Sequence, residues 1–183
     1  MKALVLAACT AIATASVPAS AANLVIGGTL AEGCFQSAKV HEPTYYALQT
    51  CDRALVEEAL TFDDQLATYV NRGILRMFRK DFESARADFD RAIAMDPNRA
   101  EPWLNKAILH FRQGDSRAAL PMFDKAIALG TERPEIAYYG RALAYEDLGN
   151  LRAAYSDLKR AASLKPDWSE PAMDLARYQV RER

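Results

Sequence analysis

The sequence predicts an all-α solenoid of stacked helix pairs, because three consecutive stretches of the chain align at steps of 34 and then 35 residues. Small, aromatic and aliphatic residues recur at fixed positions of this register. The aligned columns are Tyr69/Trp103/Tyr138, Gly73/Ala107/Ala142, Ala85/Ala119/Ala154, Phe89/Phe123/Leu158 and Ala92/Ala126/Ala161. A period of this length is typical of helix-pair arrays. Each pair buries its apolar face only against its neighbours, so such an array usually presents an extended binding surface.

The first 21 residues are predicted to be a secretory signal peptide. An apolar run over residues 3–17 follows Lys2, and small residues then lead to a cleavage site near Ala21. The run is shorter than the roughly 20 apolar residues that span a bilayer. A lipoprotein signal at Cys9 is the alternative, but only six residues separate Cys9 from Lys2. We therefore expect an exported chain, periplasmic or secreted, without an integral membrane span.

The composition suits one compact domain, with 50% hydrophobic and 26% charged residues. The 23 basic and 24 acidic residues are interspersed along the predicted helices, and loss of Lys2 with the signal would leave 22 basic residues. A nucleic-acid-binding protein would favour a basic stripe with aromatic platforms. We therefore expect no nucleic-acid partner.

Cys34 and Cys51 are an even pair in a chain that is expected to enter an oxidising compartment, so they are predicted to form a disulfide. The bond would close a loop of 16 intervening residues, and in the chain-entropy treatment it would contribute roughly 3 kcal/mol. A redox pair is one alternative, although the spacing is not C-x-x-C. A metal site that also uses His41 is another. We expect neither a cofactor nor a metal.

Residues 22–62 are predicted to form an N-terminal arm and a degenerate helical cap. The residue before Pro43 avoids helical angles, and Thr44 is a suitable N-cap for the helix that follows. Part of that helix, residues 47–55, matches residues 85–93 of the first full repeat. The expected elements are an extended arm over 23–29, a short helix over 30–38, a helix over 45–60 and a longer connection over 61–64.

Residues 63–183 are predicted to form the regular array. Gly, Asn or Asp occupies each reversal of the chain, and each pair ends near Pro or Gly. Pro121 lies close enough to the start of its helix to cause at most a slight kink. The predicted repeats cover about 66–99, 100–134 and 135–168, with helices over 64–79, 82–95, 99–113, 116–129, 134–148 and 151–164, and a capping helix over 168–181.

The columns resemble the tetratricopeptide repeat (TPR), in which an aromatic and a small residue recur in the first helix and Ala, an aromatic and Ala in the second. The closing proline of that pattern is present at Pro97 and Pro166, whereas Thr131 replaces it in the middle repeat. The resemblance covers residues 64–183. It implies a right-handed solenoid that binds a protein or peptide partner in a concave groove lined by the first helix of each pair.

The first helices then give a candidate peptide-binding groove that is mostly apolar and contains two asparagines in one column. Asparagine amides can bond a peptide backbone through a donor and an acceptor. The groove residues are Val70, Asn71, Ile74, Met77 and Phe78, then Leu104, Asn105, Ile108 and Phe111, then Tyr139, Leu143 and Glu146. The alternative for each aliphatic residue is a place in the core between repeats.

Capture of a chaperone-type acidic tail is not predicted. The branch of the family that clamps a terminal carboxylate has Lys and Arg in this groove. The matching positions of this chain are Val70, Ile74, Ile136 and Gly140, and only Asn105 is shared with that branch.

An enzyme is the less favoured class, and no catalytic residues are predicted. The chain lacks the nucleophile-elbow, zincin, P-loop and dinucleotide motifs. His41 is expected in a solvated turn, and His110 is expected to be structural. We therefore expect a non-enzymatic adaptor or scaffold of the bacterial envelope. A structural or self-assembling envelope protein is the alternative, with a homo-oligomer contact through the arm over 23–29 or through the terminal helix with Arg177, Arg181 and Arg183.

Overall fold

The computed structural model describes residues 29–178, which form helices joined by short turns and contain no strand. This confirms the all-α solenoid for the described part of the chain. The helices are α1 (Leu30–Lys39), α2 (Tyr45–Glu57), α3 (Phe62–Phe78), α4 (Phe82–Met95), α5 (Ala100–Arg112), α6 (Ser116–Ala128), α7 (Pro134–Asp147), α8 (Leu151–Leu164) and α9 (Ser169–Leu175). The signal peptide over 1–21, the lipobox Cys9, residues 22–28 of the arm, Arg181 and Arg183 lie outside the described residues.

Consecutive helices pack as the pairs α1–α2, α3–α4, α5–α6 and α7–α8, and α9 packs against α8. The small residues of the columns let the two helices of a pair approach closely. At Gly73, an added Cβ would lie 2.5 Å from Cε1 of Phe89, which is fully buried. Gly73→Leu or Ala119→Leu should therefore overpack a helix contact, at a cost of about 1–3 kcal/mol.

Polar side chains fix the starts of most helices. The hydroxyls of Thr29, Thr44 and Thr61 each accept a hydrogen bond from the backbone N–H three residues later, which satisfies a donor that has no partner within the helix. Asp81, Asp115 and Asn150 do the same for the second helices of the pairs. Each second helix therefore begins only a few residues after the first one ends, and the two helices of a pair run antiparallel.

The N-terminal cap contains both of the expected helices, and the expected disulfide joins them. Cys34 in α1 is bonded to Cys51 in α2, and both are fully buried. Helix α2 ends at Glu57, short of the expected residue 60, because the Glu58 carboxylate accepts hydrogen bonds from the backbone N–H groups of Leu30 and Ala31 at 2.6 and 3.0 Å.

Two further helix bounds differ from the expectation. Helix α3 begins at Phe62, two residues early, because the Thr61 hydroxyl caps it. The capping helix α9 has only seven residues and ends at Leu175. No helix of the described part is long and apolar enough to cross a membrane.

An ion-pair ladder joins successive repeats away from the first-helix surface, and the sequence analysis did not foresee it. Its rungs are Arg72 with Asp52 at 2.7 Å, Lys106 with Asp90 at 2.5 Å and Arg141 with Asp124 at 2.7 Å. In each rung a first helix reaches back to the second helix of the preceding pair. Arg72 also binds Asp88 and Arg141 also binds Asp157 within their own pairs.

Candidate peptide-binding cleft

The first helices α3, α5 and α7 stand side by side, and we call the surface that they form with α1 and α9 the inner surface. Two columns of the predicted groove face the hollows of this surface. Asn71 and Asn105 of one column, and Ile74 and Ile108 of the other, line these hollows, whereas the predicted Leu143 lines none of them. Of these, Asn105 is 5% exposed, and its amide Nδ2 donates to the Glu101 carbonyl oxygen at 2.9 Å.

The residues of two other predicted columns are buried or partly buried beneath the hollows, at the contacts between neighbouring first helices. Val70, Met77 and Leu104 are buried, and they form the floor of the hollows. Phe111 packs against the apolar cluster around Leu104 and Ala107. These side chains are therefore largely inter-repeat core, which is the alternative that the sequence left open for the aliphatic positions.

In the third repeat the same columns contact α9. The Tyr139 hydroxyl donates to Asp174 at 2.8 Å, and the Tyr139 ring meets the Trp168 ring edge-on with centroids 4.8 Å apart. Burial and the hydrogen bond to Asp174 raise the pKa of Tyr139 to about 12. Glu146 pairs with Arg177 at 3.0 Å. Tyr139 and Glu146 therefore tie α7 to α9 and do not line the clefts described next.

Two adjoining clefts occupy the N-terminal part of the inner surface. One, of about 240 Å³, lies between α1, α3, α5 and the loop over 131–133, and the other, of about 170 Å³, lies between α3, α5 and the start of α7. His41, Ile74, Asn105 and Arg133 line both. We call the two together the inner cleft. A wider hollow of about 480 Å³ lies between the starts of α1 and α3, with Asn71 on its border.

The ring of Phe78 lines the inner cleft, where it contacts His41 and Arg112. The His41 ring stacks on the Phe78 ring with centroids 4.2 Å apart, and the Arg112 guanidinium lies 4.8 Å from the same ring. His41 is exposed and in a turn, as expected, and its ring also contacts Phe78. Its backbone is in the left-handed region, at φ 56°.

Three basic residues, Lys39, Arg112 and Arg133, and two acidic ones, Glu101 and Glu132, line the inner cleft. Partial burial, Arg133 and Arg112 together lower the pKa of His41, so the ring is mainly neutral near pH 7. Lys39 lines the α1 side of the same cleft. The sequence analysis did not select His41, Arg112 or Arg133 as site residues. One signal in the sequence could have identified Arg112 as a site residue. It is a charged residue in an otherwise apolar column, at the position that Phe78 occupies one repeat earlier.

The second histidine lies elsewhere. Nδ1 of His110 is 3.9 Å from Asp115 Oδ2 at the turn between α5 and α6. Burial and the nearby Lys106 lower its pKa. His110 and His41 are therefore in separate environments.

The disulfide engages both thiols of Cys34 and Cys51, which leaves no thiolate for a metal or a dithiol reaction while the bond is intact.

The stacked helix pairs and the cleft on the first-helix surface define an α-solenoid repeat protein. The chain belongs to the tetratricopeptide repeat family, whose profile matches residues 70–116 and 104–171 and so covers more than half of the 183 residues. The matched segments contain α4–α8 and parts of α3 and α9. Members of this family bind protein partners. The comparison with curated proteins gave no match.

Solved structures show the same fold. A MamA RS-1 double mutant superposes with a TM-score of 0.63 at 21% identity, over 81% of this chain and 82% of that one. MamA from Desulfovibrio magneticus RS-1, from residue 41 to its end, gives 0.62 at 20% identity over 81% and 82%. PilW, a widely conserved type IV pilus biogenesis factor, gives 0.66 at 19% identity over 81% and 66%. At these identities the likeness concerns the fold alone.

Proposed function

We propose that this protein is a non-enzymatic adaptor of the bacterial envelope that binds a segment of a partner protein in the inner cleft. The observation that carries the proposal is the hollow on the first-helix surface, which apolar side chains line on several sides. Grooves of this kind hold a peptide through apolar contacts supplemented by a few polar groups.

The polar groups of the inner cleft suit a peptide backbone. Asn71 and Asn105 lie on its wall, and the Asn105 amide uses one of its donors on the Glu101 carbonyl. A side-chain amide carries two donors and an acceptor oxygen, so capacity for a backbone N–H remains. The floor of Val70 and Leu104 is already packed, which keeps the cleft largely preformed.

Export is the second part of the proposal. The buried Cys34–Cys51 disulfide supports it, since such bonds persist in oxidising compartments. The signal-like sequence over 1–21 supports it independently. PilW, which is similar in fold, is a pilus biogenesis factor, and an assembly role at the envelope would suit this chain as well. Mass spectrometry of the protein from an envelope fraction should find a chain that begins just after Ala21 or Ala22.

Site-specific photo-crosslinking tests the binding surface. A photoreactive phenylalanine analogue replaces Phe35, which borders the inner cleft and is 42% exposed. A matched variant carries the analogue at Leu151, which is 54% exposed at the start of α8. Irradiation of cells should give discrete protein adducts at position 35 and none at position 151. Adducts at position 151 alone, or at neither position, would contradict binding in the inner cleft.

A further inference from the structure

We infer that the inner cleft selects an acidic side chain, an Asp or Glu within an extended segment of the partner, and that Arg112 and Arg133 hold its carboxylate. This inference rests on the proposed function, because it requires the cleft to bind a peptide. It adds the chemistry of the ligand, which neither the repeat pattern nor the fold specifies.

The two arginines are available for a ligand within the described part of the chain. Among residues 29–178, no carboxylate oxygen lies within 4.0 Å of the guanidinium nitrogens of Arg112 or Arg133. Arg72 and Arg141 are each paired with two aspartates by contrast. A charged group in a hollow without a counter-charge favours binding of an opposite charge.

Two acidic residues also line the cleft, the exposed Glu132, which pairs with neither arginine, and Glu101, whose carboxylate is already engaged. Glu101 Oε1 accepts hydrogen bonds from the Glu132 backbone N–H at 3.0 Å and from the Thr131 hydroxyl at 3.3 Å. These bonds hold the loop before α7 against α5 and so place Arg133 at the cleft. Arg99, the residue before α5 as Arg133 is the residue before α7, is paired with Asp63 of the preceding repeat.

The repeat register explains why Arg133 lacks the partner that Arg99 has. One repeat after Asp63 the corresponding position is Pro97, which offers no carboxylate. Arg112 in turn stands where Phe78 stands one repeat earlier, and its guanidinium lies on that ring. A stacked guanidinium keeps its in-plane N–H groups for a carboxylate. Both cations are therefore positioned by protein contacts and retain donors.

The apolar walls indicate that the acidic residue lies inside a segment and not at a chain terminus. Arg133 lines both parts of the inner cleft and so lies where they meet, and Arg112 lines the part between α3, α5 and the start of α7. Val70 and Leu104 line one part, and Ile108 and Ile136 line the other. A segment with apolar residues on both sides of its carboxylate would use both walls, whereas a terminal carboxylate would use one.

Fluorescence anisotropy with a peptide panel tests the inference. The probes are labelled nonapeptides, blocked at both ends, that carry Glu, Gln or Lys between Ile and Leu residues, together with a Gln peptide that ends in a free carboxylate. Wild-type protein should bind the Glu peptide about tenfold more tightly than its Gln counterpart, as expected for one charge-assisted contact. Arg112→Gln/Arg133→Gln should abolish this preference and leave weak binding of the apolar residues.

The matched control is Arg117→Gln/Arg152→Gln, which removes the same charge from exposed positions at the starts of α6 and α8. It should retain the tenfold preference, and circular dichroism should show both double variants folded. Equal binding of the Glu and Gln peptides, a preference for the free carboxylate, or binding only to phosphatidylglycerol vesicles would overturn the inference. So would binding of no panel peptide. The proposed function would still stand in each case if position 35 gave protein adducts.

Discussion

The N-terminal and C-terminal halves of the inner surface follow one repeat register and yet differ in what fills them. Asn71 and Asn105 border hollows in the first half, whereas Gly140 takes the same column in the third repeat. A Cβ at Gly140 would lie 2.5 Å from Cζ of the buried Phe123 ring. Tyr139 then ties α7 to α9 through Asp174. One half is left hollow, and the other is closed by its own side chains.

This difference shows that the repeat columns determine the backbone and that single positions within them determine the surface. A small residue in the asparagine column lets an aromatic ring approach, and contacts to α9 then close the third repeat. The N-terminal half contains the arginines, unpaired within the described residues, that the proposed ligand would contact. The variants below test how firmly each half is built and whether only the first of them binds.

The largest effect is expected from Asp88→Asn, which removes the buried negative charge that two arginines share. The Asp88 side chain is 4% exposed and binds Arg72 at 2.6 Å and Arg76 at 2.8 Å. Breaking a buried pair while leaving its cation costs about 3–5 kcal/mol. The matched Asp157→Asn should cost less, because Asp157 serves only Arg141. Urea unfolding measures both, and an equal or reversed order would contradict tighter electrostatic support of the first half.

The next effect is expected from Cys34→Ala/Cys51→Ala, which unlocks α1 from α2. Loss of the cross-link should lower the free energy of unfolding by roughly 3 kcal/mol. Because α1 forms a wall of the inner cleft, affinity for the Glu peptide should fall as well. Reductant should reproduce the loss in wild type and change nothing further in the double variant. Wild-type affinity in the double variant would show that the first pair is not needed for the cleft.

A smaller effect is expected from Tyr139→Phe, which deletes the hydroxyl that donates to Asp174. One such hydrogen bond contributes about 1 kcal/mol, and somewhat more to a charged acceptor. Hydrogen exchange should show faster opening of α9, while binding of the Glu peptide stays as in wild type. Weaker peptide binding in this variant would indicate that the C-terminal half also contacts the ligand.

The smallest effect concerns pH and His41. Its pKa is lowered in the folded protein by burial and by Arg133 and Arg112, and Lys39, Glu101 and Glu132 also line the cleft. The unfolded chain therefore binds the proton more readily, so stability is lost as the pH falls through about 6.5. A bound carboxylate favours the protonated ring, so affinity for the Glu peptide should rise over the same range. His41→Gln should flatten both trends relative to wild type, and unchanged profiles would exclude this role.

The helix pairs could be predicted because their determinants are local and repeated. Gly73 and the alanine columns are small wherever two helices touch, and Thr44 caps α2 through an amide three residues away. The disulfide could be predicted because the expected mature chain has an even number of cysteines and carries an export signal. The end of α2 could not be predicted in this way, because Glu58 caps α1 across 28 positions.

The candidate site could be predicted only in part. Adjacent columns of a first helix face different neighbours, so Val70 was taken for a groove residue although it is packed beneath the cleft. Arg112 departs from the repeat, whereas Arg133 repeats Arg99 but lacks its acidic partner, because Pro97 takes the place of Asp63. A periodic pattern carries no information about residues that occur once.

The ion-pair ladder also governs how this array can grow. Every rung needs an aspartate in the second helix of one unit and a cation in the first helix of the next, and Lys159 stands where Asp52, Asp90 and Asp124 stand in earlier units. Duplication of residues 100–134 would bring both halves of a rung with it and splice in without an unmatched charge. A unit appended after the third repeat would place its cation opposite Lys159, where the earlier units have an aspartate. The array can therefore lengthen by internal duplication without a change of charge. Addition at its C-terminal end would first require replacement of Lys159.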